Sequence, residues 1–169
     1  VAPLEGEQVV GREEELYDLR EMLENGGKFL LTGLGGIGKT ELLRQLLFWC
    51  ERERKARKIA VVQYTGSLSD SLNRSFFELK AADQEVRFHE CLYRLSGKKT
   101  VLFLDNVDRT EEEDPGLLEL KELSCTVFVS SRIQKLEGFQ TFSVGTPRKS
   151  ALGLLFREHY ERTLTMAER

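Results

Sequence analysis

Residues 33–40 read GLGGIGKT, directly after the apolar run Phe29-Leu30-Leu31 and directly before Leu42, Leu43, Leu46 and Leu47, which recur at helical spacing. Few stretches restrict a fold so tightly. Four glycines in eight residues are costly inside a regular element, because glycine loses more backbone freedom on folding than any other residue. Between a strand and a helix they instead let successive N–H groups turn inward toward an anion, with the positive end of the helix aimed at the same point. Gly33, Gly38, Lys39 and Thr40 stand at the spacing of a phosphate-binding loop. At ordinary residue frequencies those four positions arise by chance in roughly one chain of this length in a hundred, and the strand-loop-helix context makes that rarer. Lys39 is expected to reach the β- and γ-phosphates, and Thr40 to offer a hydroxyl to Mg²⁺.

The rest of the chain fits that context. Five β-type runs begin at residues 29 (FLLTG), 59 (IAVVQYT), 100 (TVLFLDNV), 126 (TVFVSS) and 141 (TFSV). Several are continuous rather than alternating, as suits strands covered on both faces. Helical spacing falls between them. It is carried by Leu16, Leu19 and Leu23, by Leu42 to Cys50, by Leu68, Leu72, Phe76 and Leu79, by Phe88, Leu92 and Leu95, by Leu117, Leu120 and Leu123, and by Leu152, Leu155 and Phe156 after Pro147. Strands alternating with helices predict an α/β fold, a three-layer αβα sandwich around a five-stranded, mainly parallel sheet, with ligands at the carboxyl ends of the strands. The divisions expected are an N-terminal opening motif and helix over 1–28, a P-loop NTPase core over 29–146, and a C-terminal helix over 147–169.

A second anchor is TVLFLDNVD, where four apolar residues deliver Asp105 at the carboxyl end of a buried strand, the place for a magnesium-ordering acid. Many ATP-hydrolysing P-loop proteins have Glu next, to polarise the attacking water; here Asn106 stands there, a poor base. Asp108 substitutes only if the turn swings it toward the γ-phosphate. TVFVSSR ends a further strand with Ser130, Ser131 and Arg132, and the Arg132 guanidinium is placed to sense the γ-phosphate. The catalytic candidates are therefore Lys39, Asp105, Asp108 and Arg132, with Thr40 and Asp105 as metal ligands. Nucleotide contacts are expected from Gly33, Gly35, Gly36, Ile37, Gly38, Lys39, Thr40 and Glu41. No Asn-Lys-x-Asp element for guanine occurs in the chain, which favours adenine, so ATP or ADP with Mg²⁺ is the expected cofactor set.

Composition narrows the partners. With 40% hydrophobic and 31% charged residues in 169, the chain can bury one real core. A net charge of −3 supplies no overall basic field, and no direct nucleic-acid contact is expected. Cys50, Cys91 and Cys125 are widely spaced in apolar or helical patterns and read as core thiols of a reducing compartment. No run is long and apolar enough to span a bilayer, and the acidic start VAPLEGEQ is not a signal peptide, so a cytoplasmic location off the membrane is expected. The basic run RERKARK from residue 52 reads as a solvated helix end, and EEED at 111–114 as a surface loop.

Together these motifs resemble the STAND class of AAA+-related ATPases, which includes NB-ARC and NACHT modules. VVGREEELYDLREML is similar to that class's opening motif, GLGGIGKTEL to its glycine loop, LFLDNVD to its magnesium strand, VFVSSR to its sensor strand, and FSVGTPRKSALGLLF to the strand and helix that follow. The resemblance implies that Val10 and Arg12 lie near the adenine, and that a helical lid and winged-helix part belong to a longer protein from which this stretch comes. It implies an ATP/ADP-binding signalling switch with slow Mg²⁺-dependent hydrolysis, a monomer as an isolated domain and self-associating at full length. An AAA+ motor or loader that hydrolyses ATP in a ring, and a nonenzymatic interaction platform, are the alternatives.

Overall fold

The computed structural model describes residues 12–34, 36, 38–76 and 83–145. Five strands, β1 (Lys28–Thr32), β2 (Lys58–Gln63), β3 (Thr100–Val107), β4 (Thr126–Ser131) and β5 (Gln140–Ser143), form one sheet in the order β2-β3-β4-β1-β5. Every neighbouring pair is parallel. The first strand in sequence thus lies between β4 and β5, and β3 sits one strand away from it. This order makes the loop after β1 and the end of β3 neighbours across the end of β4.

The continuous apolar runs are explained by two cores, one on each face. Along β1, Phe29 and Leu31 face one side and Leu30 the other; along β3, Val101 and Phe103 oppose Leu102 and Leu104; along β4, Phe128 opposes Val127 and Val129. The first face is covered by helix α1 (Glu13–Asn25), through Leu16, Leu19 and Leu23, and helix α2 (Lys39–Arg52), through Leu42, Leu43, Leu46 and Cys50. Phe128, fully buried, lies between Phe29 and Phe103 with ring centroids 5.1 and 5.6 Å away. The second face is covered by helix α3 (Leu68–Ser75), helix α4 (Gln84–Arg94) and a 3-10 helix (Pro115–Glu122). Burying each such leucine contributes roughly 1.5–3 kcal/mol, so both layers are fastened by their apolar stripes rather than by propensity.

All five strands and the three-layer sandwich agree with the sequence reading. Several local expectations change. The helix expected through Leu79 closes at Phe76, whose N–H reaches Leu72 O, and Leu79 lies outside the described residues. The Leu117–Leu120–Leu123 helix is 3-10, with Pro115 and Gly116 in its first turn. EEED is not simply a surface loop: Asp114 is buried, accepting hydrogen bonds from the Tyr64 hydroxyl (2.6 Å) and the Leu68 N–H (2.7 Å). The basic run is partly docked, because Lys55 pairs with Glu24 at 2.7 Å and lies over the Trp49 ring. The three cysteines are buried and form no disulfide, and desolvation raises the pKa of Cys50 and Cys125, as expected of core thiols. No helix among the described residues is long and apolar enough to cross a membrane. The C-terminal helix expected after Pro147 lies outside the described residues.

Candidate nucleotide site

At the carboxyl ends of the strands a cleft of about 480 Å³ is lined by Gly36, Gly38, Lys39, Thr40, Glu41, Gln63, Asp105, Asn106, Ser130 and Arg132. That volume lies within the usual range for small-molecule sites. A groove of similar size, about 490 Å³, opens at the other end of the sheet around Lys28, Phe29, Gly138 and Gln140, and gathers none of the phosphate-binding or metal-binding candidates.

One wall is the glycine loop. Gly36 (φ +78°) and Gly38 (φ +101°) both lie in the left-handed region, which side chains with a Cβ enter only at a cost. Gly38 is the N-cap of α2 and has no side chain with which to cap it, and the first residues of that helix line the cleft. α3 and α4, in contrast, are capped by Ser67 and Asp83. Lys39 Nζ donates to Gly33 O (2.5 Å) and Leu34 O (3.0 Å), which folds the side chain back along its own loop. Burial and the nearby Arg132 charge lower the Lys39 pKa, and Asp105 partly restores it. Two cations in one partly desolvated cleft, with Asp105 offsetting only part of their repulsion, favour an anion between them.

The opposite wall is built on Asp105. Thr40 Oγ1 donates to its carboxylate at 3.0 and 3.3 Å, and Ser130 Oγ donates to Oδ1 at 2.5 Å. Ser130 Oγ also accepts from Asn106 N at 2.7 Å. Here β3 leaves regular register with β4 between Leu104 and Val107, and Asn106 takes φ +63°, a conformation Asn tolerates better than most residues. Asp105 lies at the start of this irregularity and lines the cleft. Ser131 accepts from Ile133 N (2.9 Å) and donates to the Val107 carbonyl, tying the ends of β3 and β4 together. Thr40 and Asp105 supply hard oxygen donors of the kind Mg²⁺ takes. Among the described residues no group of three or more His, Cys, Asp or Glu is placed to hold a metal, so an ion here would complete its shell with phosphate oxygens and water.

The sequence candidates divide as follows. Gly36, Gly38, Lys39, Thr40, Glu41, Asp105 and Arg132 line the cleft, and Gly33 holds Lys39 through its carbonyl. The Glu41 carboxylate is engaged on the helix surface by Arg44 (2.5 and 3.0 Å) and Gln45 (3.4 Å), and the Arg44 hydrogen bond lowers its pKa. Asp108 is exposed one residue beyond β3, is not among the residues lining the cleft, and lies within electrostatic range of Tyr64. Arg12 is buried against Gly38 and bonds to Glu15 and Gly145. Val10, Gly35 and Ile37 lie outside the described residues. Gln63 was not singled out from the sequence; a polar residue closing the apolar run of β2 was the available signal. The bond from Ser130 to Asp105 had none.

No protein-family model matches the chain, and no curated protein matches its sequence. Solved structures do match its fold. Cdc6p from Pyrobaculum aerophilum aligns with 89% of this chain and 49% of its own at TM-score 0.58 and 15% identity. AMPPCP-bound DnaA from Aquifex aeolicus aligns with 88% and 52% at TM-score 0.53 and 18% identity. The likeness is one of fold: the five-stranded parallel sheet with helices on both faces is shared with these solved structures. The Aeropyrum pernix ORC1 protein in complex with DNA also matches, over 89% of this chain and 49% of its own, at TM-score 0.50 and 18% identity. The present chain spans about half the length of each of these solved structures. The ORC1 complex corrects the expectation of no nucleic-acid contact, since a protein with this fold is seen with DNA. Net charge is an average, whereas DNA is held by local cations, so −3 over the whole chain is no ground for excluding it.

Proposed function

We propose that this is an adenine-nucleotide-binding domain of an AAA+-type ATPase, which takes ATP or ADP with Mg²⁺ and hydrolyses ATP to ADP and phosphate slowly. The observation that carries the reading is the meeting of Thr40 and Asp105, 3.0 Å apart, between the glycine loop and β3. On binding, Lys39 would exchange its loop carbonyls for phosphate oxygens, and the amides from Gly36 to Thr40 would surround the same phosphates. Thr40 and Asp105 would hold Mg²⁺, which when bound neutralises the β- and γ-oxygens. Arg132, across the cleft, would meet the γ-phosphate and distinguish triphosphate from diphosphate. In hydrolysis water adds to the γ-phosphorus as the bond to the β–γ bridging oxygen breaks. Asn106 can orient that water but cannot accept its proton, which supports slow turnover.

The finer reading is that nucleotide state sets conformation and self-association, with 29–146 as the core and the flanking 1–28 and 147–169 as its connections. Two versions differ in partner. The DNA-bound ORC1 match favours an AAA+ loader-type protein for which DNA is a partner. The opening VVGREEE and the SSR that ends β4 favour a STAND-type switch. Calorimetry with Mg-ADP and Mg-ATP on the wild type and Lys39→Ala tests the common core. Tight binding lost by at least ~10-fold in the variant is expected, since an ionic hydrogen bond is worth roughly 1.5–3 kcal/mol. Equal affinity in both proteins removes the proposal. ATPase rates that rise with duplex DNA favour the loader version, and rates indifferent to it favour the switch.

A further inference from the structure

Arg12 belongs to a segment whose family resemblance places it at the adenine, yet its side chain is 7% exposed and occupied elsewhere. Nη1 donates to Glu15 Oε1 at 2.7 Å and to Gly145 O at 2.8 Å, while Gly145 N donates to Glu15 Oε2 at 3.2 Å. The three residues close a ring across a sequence separation of more than a hundred residues. Nη2 faces the left-handed Gly38 so closely that a Cβ on that residue would lie 2.8 Å from it, with Cζ at 3.5 Å and Nε at 3.7 Å. Arg12 O accepts from Leu16 N at 2.8 Å, which begins α1. The chain leaving β5 is tied to β1 by Val144 N donating to Thr32 O at 2.8 Å, one residue before the loop starts.

We infer that Arg12 is a positioning residue for the phosphate loop: its guanidinium clasps the N-cap glycine of α2 to the start of α1 and to the exit from β5, and so fixes the direction in which the α2 amides point. The inference rests on the proposed nucleotide site but assigns Arg12 to the phosphate side of it rather than to the base. A planar guanidinium is suited to three simultaneous neighbours in a way an ammonium is not. Through this side chain, together with the Val144–Thr32 bond and the α1–α2 core, displacement of Arg12 or Gly145 would reach the phosphate loop.

The test uses Arg12→Lys, which keeps the charge and removes the fork, and Glu15→Gln, which weakens the acceptor holding it. Calorimetry is run with Mg-ADP and with Mg-pyrophosphate, which has no base. Both variants are expected to lose affinity for the two ligands by the same factor, at least about tenfold for Arg12→Lys. Loss for ADP with pyrophosphate unchanged would make Arg12 a base contact and overturn the inference, as would no loss for either. Hydrogen exchange without nucleotide provides an independent readout: the Leu42 and Gly145 amides are expected to exchange faster in Arg12→Lys while those of β3 and β4 do not. Unchanged exchange at Leu42 and Gly145 would overturn the clasp. Failure of the wild type to bind either ligand would instead sink the proposed nucleotide site, leaving exchange to decide the clasp.

Discussion

Replacing Gly38 with alanine isolates the contact on which the clasp depends. Two costs add. At φ +101° an alanine is strained by at least about 1–2 kcal/mol, because its Cβ meets the neighbouring backbone. That Cβ would also lie 2.8 Å from Arg12 Nη2, so the guanidinium must retreat. The tip of a long side chain ordinarily moves at little cost, but Arg12 is 6% exposed and holds Glu15 and Gly145. Weakening hydrogen bonds of an ion, worth roughly 1.5–3 kcal/mol each, brings the expected total to about 2–4 kcal/mol. Gly36→Ala serves as the control, since Gly36 also has positive φ (+78°) but nothing within 4 Å of its Cβ position. It should show the strain alone, about 1–2 kcal/mol. Urea unfolding followed by fluorescence of Trp49, the sole tryptophan, measures both. With a urea slope of about 2 kcal/mol per molar, Gly38→Ala should move the midpoint by about 1–2 M at unchanged slope. In an Arg12→Ala background the Gly38→Ala cost should fall to that of Gly36→Ala. The same cost in both backgrounds, or equal costs for the two glycines in the wild type, would refute the reasoning.

Phe128→Ala empties the space between Phe29 and Phe103 and should cost about 3–5 kcal/mol by the same urea assay; a loss below about 1 kcal/mol would mean that the stack is not a close-packed centre. Asp108→Ala should leave ATP turnover almost intact, since Asp108 is not among the residues lining the cleft; a general base contributes roughly 10²–10⁴-fold, so a loss of that size would place Asp108 in the chemistry. Burial, the hydrogen bond to Asp114 and that residue's charge raise the Tyr64 pKa above the ordinary tyrosine value. The folded state therefore holds the phenolic proton more tightly than the unfolded state. Its contribution to stability is complete below about pH 10 and is lost as pH rises from there through the folded pKa. In a titration of absorbance at 295 nm, one of the four tyrosines should lag and Tyr64→Phe should remove the lag; four tyrosines titrating together in the wild type would contradict it.

What could be read directly from the chain is what depends on neighbours in sequence. Runs such as Val101–Leu104 and spacings such as Leu16, Leu19 and Leu23 report which faces an element must bury, and most left-handed positions are glycine, Arg54 and Asn106 being the exceptions among the described residues. The strands, most helices, the glycine loop between β1 and α2 and the position of Asp105 at a strand end are all of this kind. Where the reading failed, the deciding neighbour was far away. Asp114 looks like a solvated acid among glutamates until β2 and α3 bring Tyr64 and Leu68 to it. Arg12 meets Gly145 and Gly38 only across the fold, and the bond from Ser130 to Asp105 exists only because β3 and β4 pair with their ends level. A residue's own sequence surroundings state what it needs buried or paired; which partner meets that need is decided by strand order, because the order brings together residues that the chain separates by tens of positions.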